Sequence, residues 1–141
     1  RDSDALKAVE ALLSKGVKSI RAYDPLAMDA AQEYWFNPEK NHLFERISYH
    51  DTVQEALDGS DVVYISTDWE EFRGLSRTIE KAVEPPYLVI DGRRMIPDYT
   101  SLVEKGYQYL SVGGALMESA AETAVPSPNG VVSEKELEKQ A

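Results

Sequence analysis

Apolar residues recur along this chain in two alternating rhythms. Leu6, Val9, Leu12 and Leu13 follow helical spacing behind Asp2 or Ser3 as a cap, and Gly16 supplies a stop signal. Residues 17–23 then read as a strand that ends at Asp24-Pro25. Residues 26–36 predict a helix closed by Asn37-Pro38, and residues 39–46 a loop or irregular turn. Residues 47–49 predict a short strand. Asp51, with Gln54 three residues on, predicts a capped helix carrying Val53, Ala56 and Leu57, with Gly59 just past its end. Residues 62–65 are a continuous apolar run and predict a buried strand leading into Ser66-Thr67-Asp68-Trp69. Residues 75–83 predict a helix closed by Pro85-Pro86. Residues 87–90 predict a second buried strand, and Pro97 or Asp98 opens a helix with Leu102 and Val103 that Gly106 stops. Residues 107–112 predict a last strand, ending at Gly113-Gly114.

Helices and strands that alternate with short connections argue for an α/β domain with a parallel sheet and helices on both faces. Such units place a strand before each helix, so the opening helix predicts a strand upstream of Arg1. Beyond Gly114 the pattern fades. Residues 115–141 are rich in Ala, Glu, Ser and Pro and predict a tail that is partly disordered or packs elsewhere in a larger protein, with a short exposed helix over residues 133–140. Residues 1–114 are therefore expected to form the domain proper.

In open α/β sheets, ligands sit beyond the carboxyl ends of the strands. Three strand ends carry candidate chemistry: Asp24-Pro25, Thr67-Asp68-Trp69 and Asp91-Gly92-Arg93-Arg94. In a parallel sheet all three lie on one edge. Gly92 allows a sharp turn or close approach, and a guanidinium fork matches phosphate geometry. On residue type alone, Arg93 and Arg94 also fit two solvated loop residues. Convergence with the other strand ends favours an anionic ligand. Asp24 reads first as a turn residue before Pro25 and second as a ribose acceptor. Asp68 reads as a helix cap. Trp69 and Phe72 read as packing for the loop, with stacking on a ligand base as the alternative.

Charge and composition narrow the function classes. The chain has 141 residues and a formal net charge of −10, which argues against nucleic-acid and anionic-membrane partners. A local arginine cluster can still oppose the global field toward a small anion. The absence of cysteine excludes disulfides, thiolate zinc sites and a cysteine nucleophile within this chain. No apolar run approaches the roughly 18–20 residues of a membrane span. No signal peptide opens the chain, and a cytoplasmic location is expected. His42 and His50 have no partner at metal-ligand spacing, and neither a G-x-G-x-x-G nor a Walker motif occurs. No complete catalytic site is present.

Taken in order, Arg1-Asp2-Ser3, Lys15-Gly16, Arg21-Ala22-Tyr23-Asp24-Pro25, Ala56-Leu57-Asp58-Gly59-Ser60-Asp61, Thr67-Asp68-Trp69-Glu70-Glu71-Phe72 and Asp91-Gly92-Arg93-Arg94 resemble the C-terminal domain of the UDP-glucose/GDP-mannose dehydrogenases. The resemblance covers Arg1 to about Gly114. It implies a three-layer, Rossmann-like lobe that binds a nucleotide sugar, joined to an N-terminal NAD-binding domain and a central helical dimerisation region. It implies oxidation of the sugar C6 alcohol to a carboxylate with two NAD reduced per turnover. The cysteine nucleophile is expected in another part of the enzyme. The family's Asp-Gly-Arg motif falls on Asp91, Gly92 and Arg93, whose arginine is expected to hold the UDP-sugar. Its Arg-x-Ser segment falls on Arg1 and Ser3, with Arg1 reaching NAD across the domain cleft. The Asp-Gly-Arg-Arg form leans towards UDP-glucose over GDP-mannose, with UDP-N-acetylmannosamine and related sugars as open alternatives, and the resemblance implies a role in polysaccharide biosynthesis. The full-length enzyme is expected to be a homo-oligomer and this domain alone inactive. Two rival readings are an NAD-binding domain lacking its first strand, with Asp24 on the ribose, and a non-enzymatic receiver-like module built on Asp68.

Overall fold

A computed structural model of the chain describes residues 3–68 and 70–119. Helix α1 (Ser3–Ser14) leads to strand β1 (Ile20–Ala22), the short helix α2 (Met28–Ala30) and a π-helical turn (Ala31–Trp35). A 3-10 turn (His42–Arg46) precedes β2 (Ile47–Tyr49), α3 (Val53–Leu57) and β3 (Val62–Ile65). A second 3-10 turn (Glu70–Gly74) runs into α4 (Leu75–Ala82), followed by β4 (Leu88–Asp91), α5 (Tyr99–Glu104) and β5 (Gln108–Ser111). Every strand pairing is parallel. The α/β architecture expected from the alternating rhythm is therefore the one found.

Among the described residues the parallel strands fall into two groups, β1-β2 and β3-β4-β5, with no ladder between them. A doubly wound sheet runs 3-2-1-4-5-6. Counting β1 as strand 2 and β3 as strand 4, the break falls where strand 1 belongs. β3 is thus an edge strand, and only Ile65 of it is buried, whereas Val62 and Tyr64 are 45% and 42% exposed. The expectation of a buried strand at 62–65 is corrected by this position: among the described residues one edge of β3 is unpaired, and one face is half open.

The core lies on the other face. Val89 and Tyr109 share one level of the ladder with Val63, and two residues on, on the same face, Ile65, Asp91 and Ser111 share another. Against them pack Leu57, Leu75, Ile79 and Leu102 from α3, α4 and α5, which contact one another in that order. Leu13 and Phe44 are buried outside this cluster, on α1 and the first 3-10 turn, which contact each other, and Ala31 is buried in the π-helical turn.

Local chemistry adjusts several predicted boundaries. The helix expected over residues 26–36 holds only one α-turn and then widens to π geometry, with Phe36 N–H bonded to the Ala31 carbonyl. The cap of α3 sits one residue later than expected. Thr52 Oγ1 accepts from Glu55 N–H at 3.1 Å, and Glu55 Oε1 reaches back to Asp51 N–H at 3.2 Å. This is a Thr-x-x-Glu box, which supersedes the Asp51/Gln54 assignment. Residues 17–19 lie outside the ladder because β2 offers only three partners. Met117 forms an antiparallel bridge with Tyr109, so the chain just past Gly114 folds back along β5. The helix expected over residues 133–140 lies outside the described residues.

Candidate functional site

The parallel register brings Ile65, Asp91 and Ser111 to one level, and the residues that follow them form one edge. Gly92 turns the chain over the end of β3. Its N–H donates to the Ile65 carbonyl at 2.9 Å. A Cβ at this position would stand 2.8 Å from that same oxygen, so the turn requires glycine for closeness.

Beyond Gly92 the two arginines diverge. Arg93 Nε donates to the Ser66 carbonyl, just past β3, at 3.0 Å. Arg94, in the left-handed region at φ 55°, sends Nη2 to the Val112 carbonyl past β5. Both side chains are exposed. Arg93 therefore faces the side where the sheet breaks. Arg94 faces a cavity of about 480 Å³ lined by Ile96, Tyr99, Tyr109, Ser111 and Met117. Among the described residues Arg93 bonds the protein through Nε, and its two Nη groups make no hydrogen bond there.

Asp91 is 0% exposed and fully engaged. Its Oδ1 accepts from Arg93 N–H at 3.2 Å and Met95 N–H at 2.9 Å. Its Oδ2 accepts from Ile96 N–H at 3.0 Å and from the Tyr109 hydroxyl at 2.7 Å. A buried carboxylate with four donors is stable where an unpaired one is not. Tyr109 in turn stacks on Tyr99, with ring centroids 4.6 Å apart and planes 8° from parallel. Burial and the neighbouring Asp91 carboxylate push the Tyr109 hydroxyl well above its usual range, so it stays a proton donor.

Across the break, the loops after β1 and β3 meet. Tyr23 donates its hydroxyl to Glu71 Oε2 at 2.6 Å, and its ring contacts Phe72. The hydrogen bond to Glu71, with help from burial, pushes the Tyr23 hydroxyl up to about 12. Phe72 is buried in the core, which gives it the packing role. Asp24 Oδ1 accepts from Leu26 N–H and Ala27 N–H at 2.9 and 3.1 Å, the pattern of an Asx turn. Asp68 is exposed, while Arg1 and Trp69 lie outside the described residues. His50 bonds Ser48, and among the described residues no cluster of metal-ligating side chains occurs. No described helix is long and apolar enough to cross a membrane.

Asp91, Gly92 and Arg93 are legible in the sequence as candidates for this edge, whereas Tyr109, which the fold brings against Asp91, and Tyr99, which stacks on Tyr109, are not. Tyr109 reaches Asp91 only through the register of β4 with β5, and no local motif announces that pairing.

A parallel α/β lobe with a glycine turn and divergent arginines on its carboxyl edge belongs to the class of open-sheet ligand-binding domains. Residues 1–98 match the UDP binding domain of the UDP-glucose/GDP-mannose dehydrogenase family. The chain belongs to that family. It is 34% identical over 117 residues to UDP-glucose 6-dehydrogenase of Rickettsia felis, covering 82% of this chain and 24% of that protein. It is 34% identical over 108 residues to UDP-glucose 6-dehydrogenase AglM of Haloferax volcanii, covering 73% and 22%. With UDP-glucose 6-dehydrogenase YwqF of Bacillus subtilis it shares 34% identity over 96 residues, covering 67% and 19%. The chain thus spans about a quarter or less of the length of these curated relatives.

Proposed function

We propose that this chain is the C-terminal UDP-sugar-binding lobe of an NAD-dependent nucleotide-sugar 6-dehydrogenase, with UDP-glucose as substrate. Residues 1–114 carry the lobe, and residues 115–141 continue from it. Arg93 binds the diphosphate of the sugar nucleotide through its Nη groups. Gly92 brings the chain close enough for that contact, and Asp91 holds the loop. One observation carries this reading: Arg93 lies on the carboxyl edge, turned toward Ser66 and the break in the sheet, with its Nη groups unbonded among the described residues. Open α/β sheets bind ligands at such a switch point.

The oxidation itself belongs elsewhere in the enzyme. This chain has no cysteine and no dinucleotide fingerprint. Asp24, which stands where a ribose acceptor would, is tied to Leu26 and Ala27. The described residues therefore do not fit an NAD site, and no hydride step is assigned to them. NAD is bound by an N-terminal domain, with Arg1 reaching it across the cleft. A central helical region pairs subunits of a cytoplasmic homo-oligomer. The lobe alone is inactive.

The test is titration of UDP-glucose into the full-length enzyme and its Arg93→Ala, Arg93→Lys and Arg94→Ala variants. Charge-assisted hydrogen bonds contribute on the order of 1.5–3 kcal/mol, so Arg93→Ala weakens binding roughly ten- to a hundredfold. Arg93→Lys recovers part of this, because a point charge cannot replace a planar fork. Arg94→Ala has the smaller effect. Wild-type affinity in Arg93→Ala would overturn the assignment.

A further inference from the structure

The Asp91 carboxylate joins two parts of the edge that the sequence keeps apart. Its Oδ1 is bonded to the start of the arginine loop, at Arg93 and Met95. Its Oδ2 is bonded to the loop's far end at Ile96 and to β5 through the Tyr109 hydroxyl. The three backbone donors all belong to the loop itself, so they move with it. Tyr109 is the one donor that comes from a different strand. Its ring is 3% exposed and held flat against Tyr99, which leaves the hydroxyl one direction to point. The loop also contains Arg94 at positive φ, a conformation that costs a non-glycine residue free energy and needs outside support.

We propose that Tyr109, acting through the Asp91 carboxylate, is a positioning residue for Arg93. The hydroxyl anchors Oδ2, the anchored carboxylate fixes the N–H groups of Arg93, Met95 and Ile96, and the loop then delivers the guanidinium in one orientation. Tyr109 touches no ligand. Its effect on binding passes wholly through Arg93, and the inference rests on the reading of Arg93 given above. A fork that arrives pre-oriented loses less freedom on binding than one on a loose loop.

A double-mutant cycle separates this role from general support of the fold. UDP-glucose affinity is measured calorimetrically for the full-length enzyme, Tyr109→Phe, Arg93→Ala and the double variant. Tyr109→Phe keeps the ring and its stack and removes only the hydroxyl. It should weaken binding about fivefold in the wild-type background and less than about twofold beside Arg93→Ala. Hydrogen exchange on the unliganded Tyr109→Phe enzyme gives a second readout, with faster exchange expected at Met95 and Ile96. Wild-type affinity in Tyr109→Phe, or an equal loss in both backgrounds, would overturn the positioning role while leaving Arg93 as a ligand contact. Wild-type affinity in Arg93→Ala would remove the site reading and this inference with it.

Discussion

Replacing Asp91 tests whether its carboxylate is a stabilising hub or a tolerated buried charge. Truncation in Asp91→Ala strands three buried donors: Met95 N–H, Ile96 N–H and the Tyr109 hydroxyl, on residues that are 2%, 2% and 3% exposed. Arg93 N–H belongs to an exposed residue and can turn to water. Each stranded buried donor costs about 1–3 kcal/mol. Water entering the space of the lost carboxylate recovers part of that sum, which leaves a destabilisation of roughly 3–5 kcal/mol. Asp91→Asn is milder. Its amide oxygen can keep Arg93 and Met95, and its NH₂ can donate to the Tyr109 oxygen. Only Ile96 N–H then faces another donor, at a cost of about 1–3 kcal/mol. The opposing effect is relief of carboxylate burial, which by itself would make both variants more stable. Four donors on two oxygens make the hydrogen-bond loss the larger effect. Urea unfolding followed by far-UV circular dichroism measures both variants. A total stability of about 5–15 kcal/mol makes the difference easy to resolve. Asp91→Asn at or above wild-type stability, or Asp91→Ala within about 1 kcal/mol of wild type, would refute the reasoning.

Two further outcomes follow from the same edge and its core. Gly92→Ala forces a Cβ to within 2.8 Å of the Ile65 carbonyl and 3.3 Å of Tyr64 Cε1. It should destabilise by about 1–3 kcal/mol in the same urea assay, and an unchanged midpoint would contradict the close approach. Stability should also fall at high pH. Burial pushes the Tyr87 hydroxyl up to about 12, and Tyr107 and Tyr109 are raised by burial as well. The folded state keeps these protons where the unfolded chain releases them. Their contribution is therefore full below about pH 10, the unfolded value, and is lost as pH rises through the folded values. Urea midpoints measured from about pH 8 to about pH 11.5 should hold level and then decline, and a flat profile would contradict the raised values.

What the sequence made legible, and what it hid, follows from the range of each interaction. β3 falls where its hydrophobic run places it, because a run of apolar residues between turn signals is a local pattern. β4 extends one residue further than the apolar run, through Asp91, since a carboxylate with four donors can remain in a strand that its residue type disfavours. The Thr52/Glu55 box was one residue away from the reading because Asp51 and Thr52 are both good caps. The divergence of Arg93 and Arg94 was hidden for a different reason. It depends on carbonyls at Ser66 and Val112, which lie 27 and 18 residues away in sequence. Tyr109 was hidden in the same way, because its link to Asp91 exists only once β5 has registered against β4. The break between β1 and β3 is likewise a property of strand order, which periodicity alone does not encode.

Hydrogen exchange on the full-length enzyme, with and without UDP-glucose, tests most directly where the sugar nucleotide sits. The ligand should protect the backbone at residues 65–68, past β3, and at residues 92–95 around Arg93. Residues 111–117, which flank the Arg94 cavity, should exchange at nearly the same rate in both states. Protection confined to residues 111–117, or absent from both segments, would contradict the placement of UDP-sugar binding at the Arg93 edge.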